Sequence, residues 1–429
     1  MQQVLLSVSA VLAGAFLLLC GNGLLGTLLG VRLSMAAIEP IAIGTVMAAY
    51  FAGLLLGARY AEVVIRRFGH IRTFSALASI FSAATLVHAF FVEPITWGGL
   101  RFIEGFSAAG LFMCMESWLN DRAPNAVRGQ VMSCYMIVVY AGLGLGQFLL
   151  LASEPAGFAL FALTSVLVSL ALVPVALTLA PAPELPEASA FGFRKLMEIS
   201  PLGVVGAFGS GLVLGAVYSL APSYTHAAGM DTEGTAWFMA SVLLGGLLLQ
   251  WPIGRLSDRF DRRKVIALVA LATAAGSGAM FFVGLANVPL LMAVAAFFGG
   301  AIYLIYPLSV THANDFLPPG DLVAASGGLL TAYGIGAVVG PLLASGMMSW
   351  IGPQGLFAFC GITGVAVAAF ALFRIQRGRV SPEAYETHFE LVPRTSIVAA
   401  ELDPRSEVPE PELDLSGGPP AAPPSAPAP

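Results

Sequence analysis

The sequence predicts an all-α membrane protein in which twelve transmembrane helices form two pseudo-symmetric six-helix bundles. Three observations support this fold class. Apolar residues make up 57% of the 429 residues and charged residues only 10%, whereas about 25% of the residues in soluble proteins are charged. Apolar windows of membrane-spanning length recur along the chain. Nearly all basic residues before the C-terminal tail fall on one side of these windows.

Twelve apolar windows are long enough to cross a bilayer, which takes about 20 mostly apolar residues in a helix. The N-terminus, Met1-Gln2-Gln3, lacks the basic region of a cleavable signal peptide, so we expect the first window to remain as a span. The predicted spans are residues 5–31, 41–63, 72–92, 95–119, 127–151, 156–180, 199–226, 234–255, 264–285, 289–313, 322–348 and 353–375.

The basic residues predict the orientation of these spans. Residues 1–375 contain 16 Lys and Arg, of which 14 fall on one side, while Arg32 lies on the other side and Arg101 within a span. By the positive-inside rule the side with the 14 basic residues is cytoplasmic. Both termini then face the cytoplasm, which requires an even number of spans. We therefore expect a multi-pass membrane protein.

A proline-rich polar stretch separates six spans from six. It covers residues 181–198 and predicts a cytoplasmic linker between an N-terminal bundle, 1–180, and a C-terminal bundle, 199–375. Residues 376–429 hold four basic and nine acidic residues among many prolines. Such a segment buries too little apolar surface to offset its ordering entropy, so we expect a disordered cytoplasmic tail.

The two halves carry traces of an internal repeat. Gly142 and Gly146 in the fifth span match Gly336 and Gly340 in the eleventh at an offset of 194 residues. Two similar bundles with a site between them near the membrane midplane are typical of many transporters.

A basic loop follows the eighth span, with the sequence Gly254-Arg-Leu-Ser-Asp258-Arg259-Phe-Asp261-Arg262-Arg. It resembles the G-x-L-x-D-R-x-G-R-R loop motif of the major facilitator superfamily, with Asp261 in place of the second glycine of the motif. The arginines can hold the loop at an anionic membrane face, and Asp258 can pair with a guanidinium or a helix N-terminus. Either this loop is a conformational latch, or it is a membrane anchor only.

We assign a cytoplasmic gate to this loop and to its degenerate copy in the first half. The copy departs from the motif because Arg66 stands where the acidic residue would be. The predicted gate residues are Gly254, Asp258, Arg259 and Arg262 in the second half, and Glu62, Arg67 and Gly69 in the first.

The fourth span carries charges, which cost at least about 2.5–3.5 kcal/mol each inside a membrane. Its run Arg101-Phe-Ile-Glu104-Gly105 resembles the R-x-x-Q-G motif in fourth helices of proton-coupled facilitators, with Glu104 replacing Gln. Arg101 and Glu104 lie close together at i, i+3. Because arginine stays protonated, Glu104 is the candidate proton carrier. The alternative is a static buried ion pair.

Glu116 is a third candidate for proton coupling, near the cytoplasmic end of the same span. It either faces the cavity or orders the cytoplasmic end of the helix. The runs Arg101-Phe-x-x-Gly105 and Glu116-Ser-Trp-Leu119 also resemble the bacterial YcaD-type branch of the superfamily. This resemblance implies a location in the bacterial inner membrane.

Polar and aromatic residues at mid-membrane depth predict a sparsely charged substrate cavity, which disfavours a multiply charged solute. His312 and Asp315, near the end of the tenth span, either line a pathway or serve as a helix-terminal histidine and cap. The cavity candidates are Asn22, Tyr50, Tyr140, Gln147, Tyr218 and Gln250.

These patterns predict a secondary active transporter that moves a small solute by alternating access and couples it to protons. The alternative is a receptor or scaffold that kept the fold without transporting. Neither a P-loop, a nucleophile–base pair nor a metal-ligand pattern occurs in the sequence, so we expect neither an enzyme nor a cofactor. The expected partners are a small-molecule substrate, protons and the lipid bilayer, with no nucleic acid, and the expected state is a monomer.

Overall fold

The computed structural model describes residues 2–123, 127–177, 183, 193–283, 287–318, 321–377, 388–389, 393–396 and 398. In these ranges the regular structure is helical, and they contain no strand. The predicted all-α class is confirmed.

Twelve long helices and one short helix make up the described part of the chain. The short helix, α7, ends the predicted linker and is not predicted by the hydropathy pattern. In chain order the helices are α1 (Gln2–Met35), α2 (Pro40–Phe68), α3 (His70–Val87), α4 (Pro94–Arg122), α5 (Arg128–Leu149), α6 (Ala159–Ala176), α7 (Phe193–Ile199), α8 (Pro201–Ala227), α9 (Thr232–Ser257), α10 (Arg262–Phe282), α11 (Val288–Asn314), α12 (Leu322–Ile351) and α13 (Gly355–Arg377).

Several long helices begin with a proline in the first turn and a side-chain cap before it. Pro94 starts α4, where the missing N–H has no intrahelical partner to lose. The Glu93 carboxylate accepts hydrogen bonds from the backbone N–H of Thr96 at 2.7 Å and of Ile95 at 3.0 Å. These hydrogen bonds lower the pKa of Glu93 below its usual value. Local sequence therefore determines where this helix begins.

Eleven of the twelve long helices are long and apolar enough to cross a membrane. The remaining one, α4, has 29 residues, as many as α2. It contains Arg101, Glu104 and Glu116, and these charges lower its hydropathy. Because all three side chains are buried in the protein, α4 can span the membrane without exposing them to lipid.

The two halves repeat the same pattern of helix neighbours. In the first half α5 packs on α1, α2 on α4 and α3 on α6; in the second half α12 packs on α8, α9 on α11 and α10 on α13. Gly146 lets α5 approach the α1 backbone, where a Cβ would lie 3.0 Å from the Leu24 nitrogen. Gly336 has the same role between α12 and α8, with a Cβ 2.9 Å from the Leu212 nitrogen. The glycine repeat thus corresponds to equivalent helix contacts.

The space between the halves is closed at one end. The long helices alternate in direction, so the start of α1 and the end of α13 lie on the side that bears Arg66 and Arg262, here called the basic side. On the opposite side, here called the far side, Ser34 Oγ and His226 Nδ1 form a hydrogen bond of 2.9 Å between α1 and α8. The rings of Phe148 and Trp237 also meet, with centroids 4.8 Å apart.

Part of the C-terminal tail lies against the helices. Most of residues 376–429, which the sequence predicts to be disordered, lies outside the described residues. Residues 388–389 contact the loop between α9 and α10 on the basic side, and residues 393–395 border the space between the two halves.

Candidate functional site

A central cavity lies between the two halves. About 170 Å³ of it remains open beside the tail residues Pro393, Arg394 and Thr395. Both halves contribute to its wall, through α1, α2, α4 and α5 from the first and α8, α9, α11 and α12 from the second. Five of the six predicted cavity residues line it: Asn22, Tyr50, Tyr140, Gln147 and Tyr218. The sixth, Gln250, lies next to the wall and donates a hydrogen bond to the Tyr140 hydroxyl.

Gln147 joins α5 to α1 at the edge of this cavity. Its Oε1 accepts a hydrogen bond of 2.5 Å from Thr27 Oγ1. Its Nε2 donates to the backbone carbonyls of Leu143, at 3.0 Å, and Gly23, at 3.4 Å. The amide is therefore paired on both ends and buried, and its position is determined by helix packing.

Five tyrosines from both halves form an aromatic group that we call the tyrosine cage: Tyr140, Tyr218, Tyr303, Tyr306 and Tyr333. The hydroxyls of Tyr218 and Tyr303 are hydrogen-bonded. The rings of Tyr140 and Tyr303 have centroids 5.6 Å apart, and those of Tyr306 and Tyr333 are 5.2 Å apart in an edge-to-face arrangement. Tyr303, Tyr306 and Tyr333 were not among the cavity residues that the sequence predicts.

Arg394 of the tail lies inside the tyrosine cage. Its Cζ is 5.0 Å from the ring centroid of Tyr303, 5.8 Å from that of Tyr306 and 5.9 Å from that of Tyr333. These distances are typical of cation–π contacts. The side chains of Tyr140 and Tyr333 line the same cavity as Arg394.

Arg101 and Glu104 form a buried ion pair on α4. Arg101 Nη1 lies 3.0 Å from Glu104 Oε2, and the two side chains are 4% and 0% exposed. The second carboxylate oxygen lies 3.3 Å from His88 Nδ1 and accepts a 3.4 Å hydrogen bond from Thr85 Oγ1. Arg101 also borders the central cavity and lies over the Tyr50 ring, with Cζ 4.2 Å from the centroid.

His88 is a partner of Glu104 that the sequence analysis missed. It lies just after α3, and its Nδ1 also approaches the Ala84 carbonyl at 3.0 Å. Its ring stacks near Phe161 and meets the edge of Trp97. Nothing in the spacing of residues 88 and 104 indicates this contact, because the packing of α3 against α4 produces it.

Glu116 lies apart from this pair, about 18 Å further along α4 at 1.5 Å per residue. Its side chain is buried and accepts a 2.7 Å hydrogen bond from the Tyr135 hydroxyl. The hydroxyls of Thr395 and Ser396 also donate to its carboxylate. Glu116 therefore binds the tail on the basic side, and the three predicted coupling residues form two separate clusters.

The predicted gate loop links three helices of the second half. Arg262 pairs with Asp315 at the end of α11 and, at 3.3 Å, with Asp258 at the end of α9. Asp258 Oδ1 also accepts a 2.7 Å hydrogen bond from the backbone N–H of Phe389. The Phe389 ring lies against Gly254, and a Cβ added at Gly254 would be 2.8 Å from the Phe389 Cε1 atom. Asp258 thus contacts a guanidinium, as the sequence suggests, and also a tail segment that it does not suggest.

Asp261, which stands where the loop motif has a glycine, caps α10. Its Oδ1 accepts the backbone N–H of Arg263 at 3.0 Å, and its Oδ2 pairs with Arg263 Nη2 at 2.7 Å. Burial acts to raise the pKa of Asp261, but the hydrogen bonds and charge of Arg263 together lower it below its usual value. The replacement is therefore compatible with a tight turn that starts a helix.

The remaining predicted gate and pathway residues lie on or near the basic side. Glu62 pairs with Arg66 at 2.9 Å on an exposed surface, and Gly69 has φ +83° at the turn after α2. Arg67 and Arg259 are exposed. His312 is buried two residues before the end of α11, and its ring makes an edge-to-face contact with Phe316.

Comparisons with known proteins agree with this architecture. A sequence model described as the Major Facilitator Superfamily matches residues 11–236 and 203–407. A protein of Salmonella newport (strain SL254), described as the uncharacterized MFS-type transporter YcaD, is 31% identical over 346 residues, which cover 80% of this chain and 88% of that protein. Its counterpart in Salmonella arizonae (strain ATCC BAA-731 / CDC346-86 / RSK2980) is 30% identical over the same length.

Two solved structures share the fold. A variant of the nucleoside transporter NupG superposes with a TM-score of 0.74 at 12% identity, covering 86% of this chain and 99% of that one. A bacterial homologue of the human lysosomal transporter Spinster, inward-facing and occupied, gives a TM-score of 0.71 at 16% identity, covering 87% and 98%. At these identities the likeness concerns the fold alone.

Proposed function

This chain belongs to the major facilitator superfamily, and on that premise we propose that it moves a small solute across the membrane by alternating access, driven by protons. Its relatives are described as transporters, which supports membrane transport as the general role. The observation that carries the specific proposal is the Arg101–Glu104 pair, which is buried in a membrane helix and lies beside a central cavity.

Glu104 can act as the proton carrier because of its partners. Its carboxylate lies 3.0 Å from Arg101 Nη1 and 3.3 Å from His88 Nδ1, so two nitrogen groups hold it beside the central cavity. With Glu104 0% exposed, proton exchange with water requires a change in conformation. A carboxylate that is sealed in one state and reachable in another can couple proton movement to the motion of the two halves.

The closed far side fits one end state of an alternating-access cycle. The contact between Ser34 and His226 closes that side, while the tail enters between the halves from the basic side. We place the basic side in the cytoplasm of a bacterial cell, with both termini there, because of the positive-inside rule. The protein would act as a monomer in the inner membrane, since each chain holds both halves of the site.

The test begins with a ligand screen. Ligands that bind the native state raise the thermal midpoint of the purified protein by mass action. Each hit is then assayed for uptake into proteoliposomes with and without a pH gradient. We expect Glu104→Gln to abolish accumulation driven by the gradient while exchange of solute between the two sides continues.

Glu39→Gln is the matched control, because Glu39 is exposed and makes no cap hydrogen bond at the start of α2. It should retain the accumulation of the unaltered protein. Full gradient-driven accumulation by Glu104→Gln would reject the role of Glu104 in coupling.

A non-transporting receptor or scaffold is the second candidate, and the tail residues in the cavity favour it. Deletion of residues 380–429 separates the two functions. Uptake that survives or increases after the deletion supports transport. Absence of uptake for every ligand that binds, with or without the tail, supports the receptor.

A further inference from the structure

We propose that the tyrosine cage binds an organic monocation of the guanidinium or amine type, and that Arg394 occupies this site as a tethered competitor. This inference deepens the proposed function, because it names the solute class for the central cavity. Its first evidence is the geometry of the occupant. One guanidinium lies 5.0–5.9 Å from the centroids of three tyrosine rings, and Tyr140 lines the same cavity.

Tyrosine supplies both groups that such a cation needs. The ring face is electronegative and attracts a cation, and the hydroxyl oxygen accepts N–H hydrogen bonds. Tyr140 belongs to the first half, and Tyr303 and Tyr333 to the second. A ligand held by all three therefore bridges the two halves, as expected for a solute whose binding is linked to their motion.

The charges around the cavity are compatible with a single positive charge. Arg101 borders the cavity, but Glu104 pairs with it at 3.0 Å. Glu116, on the basic side, has Tyr135, Thr395 and Ser396 as hydrogen-bond donors. When the tail leaves, two of these three donors leave with it, and the carboxylate can then attract a cation that enters from this side.

The tail and a solute compete for the same space. With Arg394 in place, the open volume of about 170 Å³ is smaller than the roughly 300–1,000 Å³ of ordinary ligand pockets. The chain between the end of α13 at Arg377 and Arg394 can span up to about 55 Å when extended. The tail is therefore long enough to withdraw completely while α13 stays in place.

The test compares two probes of nearly the same shape, phenylguanidine, which is a cation, and phenylurea, which is neutral. Binding is measured by calorimetry on the full-length protein and on Arg394→Gln, in detergent. We expect phenylguanidine to bind Arg394→Gln at least about tenfold more tightly than the full-length protein, because a tethered competitor acts at an effective concentration in the millimolar range. Phenylurea should bind neither protein.

Equal affinity for the two probes would overturn the cation site, and so would failure of phenylguanidine to bind Arg394→Gln. Equal affinity of phenylguanidine for the two proteins would overturn the competitor role. Arg394→Lys serves as the matched variant, because it keeps the positive charge. Its affinity for phenylguanidine should therefore stay close to that of the full-length protein. An affinity as high as that of Arg394→Gln would count against recognition of the tail by charge.

A second pair of variants tests the ring face directly. Tyr303→Phe and Tyr303→Leu both lose the hydroxyl bond to Tyr218, but only Tyr303→Phe keeps the aromatic face. In the Arg394→Gln background, Tyr303→Leu should bind phenylguanidine about two- to thirtyfold more weakly than Tyr303→Phe. Equal binding would overturn the cation–π site.

These binding assays do not require transport, so the two proposals can fail separately. Binding of phenylguanidine without uptake into proteoliposomes would contradict the proposed transport and leave the cation site intact. Uptake of another solute by a protein that does not bind phenylguanidine would contradict the cation site and leave transport intact.

Discussion

Arg101→Gln is expected to destabilise this protein far more than Arg66→Gln, although each change removes an arginine from an ion pair within one helix. Arg101 lies 3.0 Å from Glu104, with side chains 4% and 0% exposed. Arg66 lies 2.9 Å from Glu62, with side chains 46% and 29% exposed. The two pairs have nearly the same distance but differ in burial, and the buried pair also contacts Tyr50 and His88.

The expected magnitudes follow from that difference. Two unit charges about 4 Å apart attract each other by about 4 kcal/mol at an effective dielectric constant near 20. Removing one partner of a buried pair costs about 3–5 kcal/mol, because the other charge remains buried without compensation. An exposed pair contributes about 0–1 kcal/mol. We therefore expect Arg101→Gln to lower the free energy of unfolding by about 3–5 kcal/mol near neutral pH, and Arg66→Gln by less than about 1 kcal/mol.

The assay is unfolding by SDS in mixed micelles, followed by tryptophan fluorescence. The double variant Arg101→Gln/Glu104→Gln should be more stable than Arg101→Gln, because no buried charge is left unpaired. Equal losses for Arg101→Gln and Arg66→Gln, or no recovery in the double variant, would refute the reasoning.

Two further changes test the packing and the start of α4. Gly105→Ala should lower the thermal midpoint in detergent, because the added Cβ would lie 2.8 Å from the Tyr50 carbonyl carbon and overpacking costs about 1–3 kcal/mol. Gly98→Ala is the control and should not lower the midpoint, because its Cβ would meet no atom of another part of the chain within 4 Å. The reverse order of the two midpoints would contradict the packing argument. The hydrogen bonds that lower the pKa of Glu93 stabilise the fold at neutral pH, and this contribution is lost as pH falls through the lowered folded pKa. Glu93→Gln should therefore reduce the acid dependence of the thermal midpoint, and an unchanged profile would argue against the cap.

The helices could be predicted from the sequence because membrane burial leaves a local signal. Apolar runs and short polar loops predict the twelve long helices within a few residues. The fourth helix shows the limit of hydropathy, because Arg101, Glu104 and Glu116 lower its apolar character. Its length and the spacing of those charges still indicate a span. The short helix α7 has no such signal, since it does not cross the membrane.

The site could be predicted only in part, because its contacts depend on packing between distant helices. Tyr140 and Tyr218 were predicted from their depth, whereas Tyr333 joins the cage through its contact with Tyr306 of α11, which the sequence does not indicate. The i, i+3 spacing of Arg101 and Glu104 is visible in the sequence. His88 becomes their neighbour only when α3 packs on α4. Arg394 lies in a segment whose composition predicts a solvated tail. Its position in the tyrosine cage could not be predicted, because the packing of distant helices forms the cavity.

Alternating access can be measured with spin labels on both sides of the molecule. Ala36→Cys with Ala227→Cys reports the far side, and Phe68→Cys with Phe260→Cys reports the basic side, at four exposed positions. The native cysteines to be replaced by alanine are Cys20, Cys114, Cys134 and Cys360. Distances are recorded by double electron–electron resonance in lipid nanodiscs at neutral and acidic pH, with and without residues 380–429.

With the tail present, we predict one population in which the far-side pair is close, as the Ser34–His226 contact requires. Without the tail, a second population should appear in which the far-side distance is longer and the basic-side distance is shorter. The fraction of molecules in this second population should change with pH when Glu104 is present and stay constant in the Glu104→Gln variant. A single, unchanged distance for both pairs under every condition would contradict alternating access by this protein.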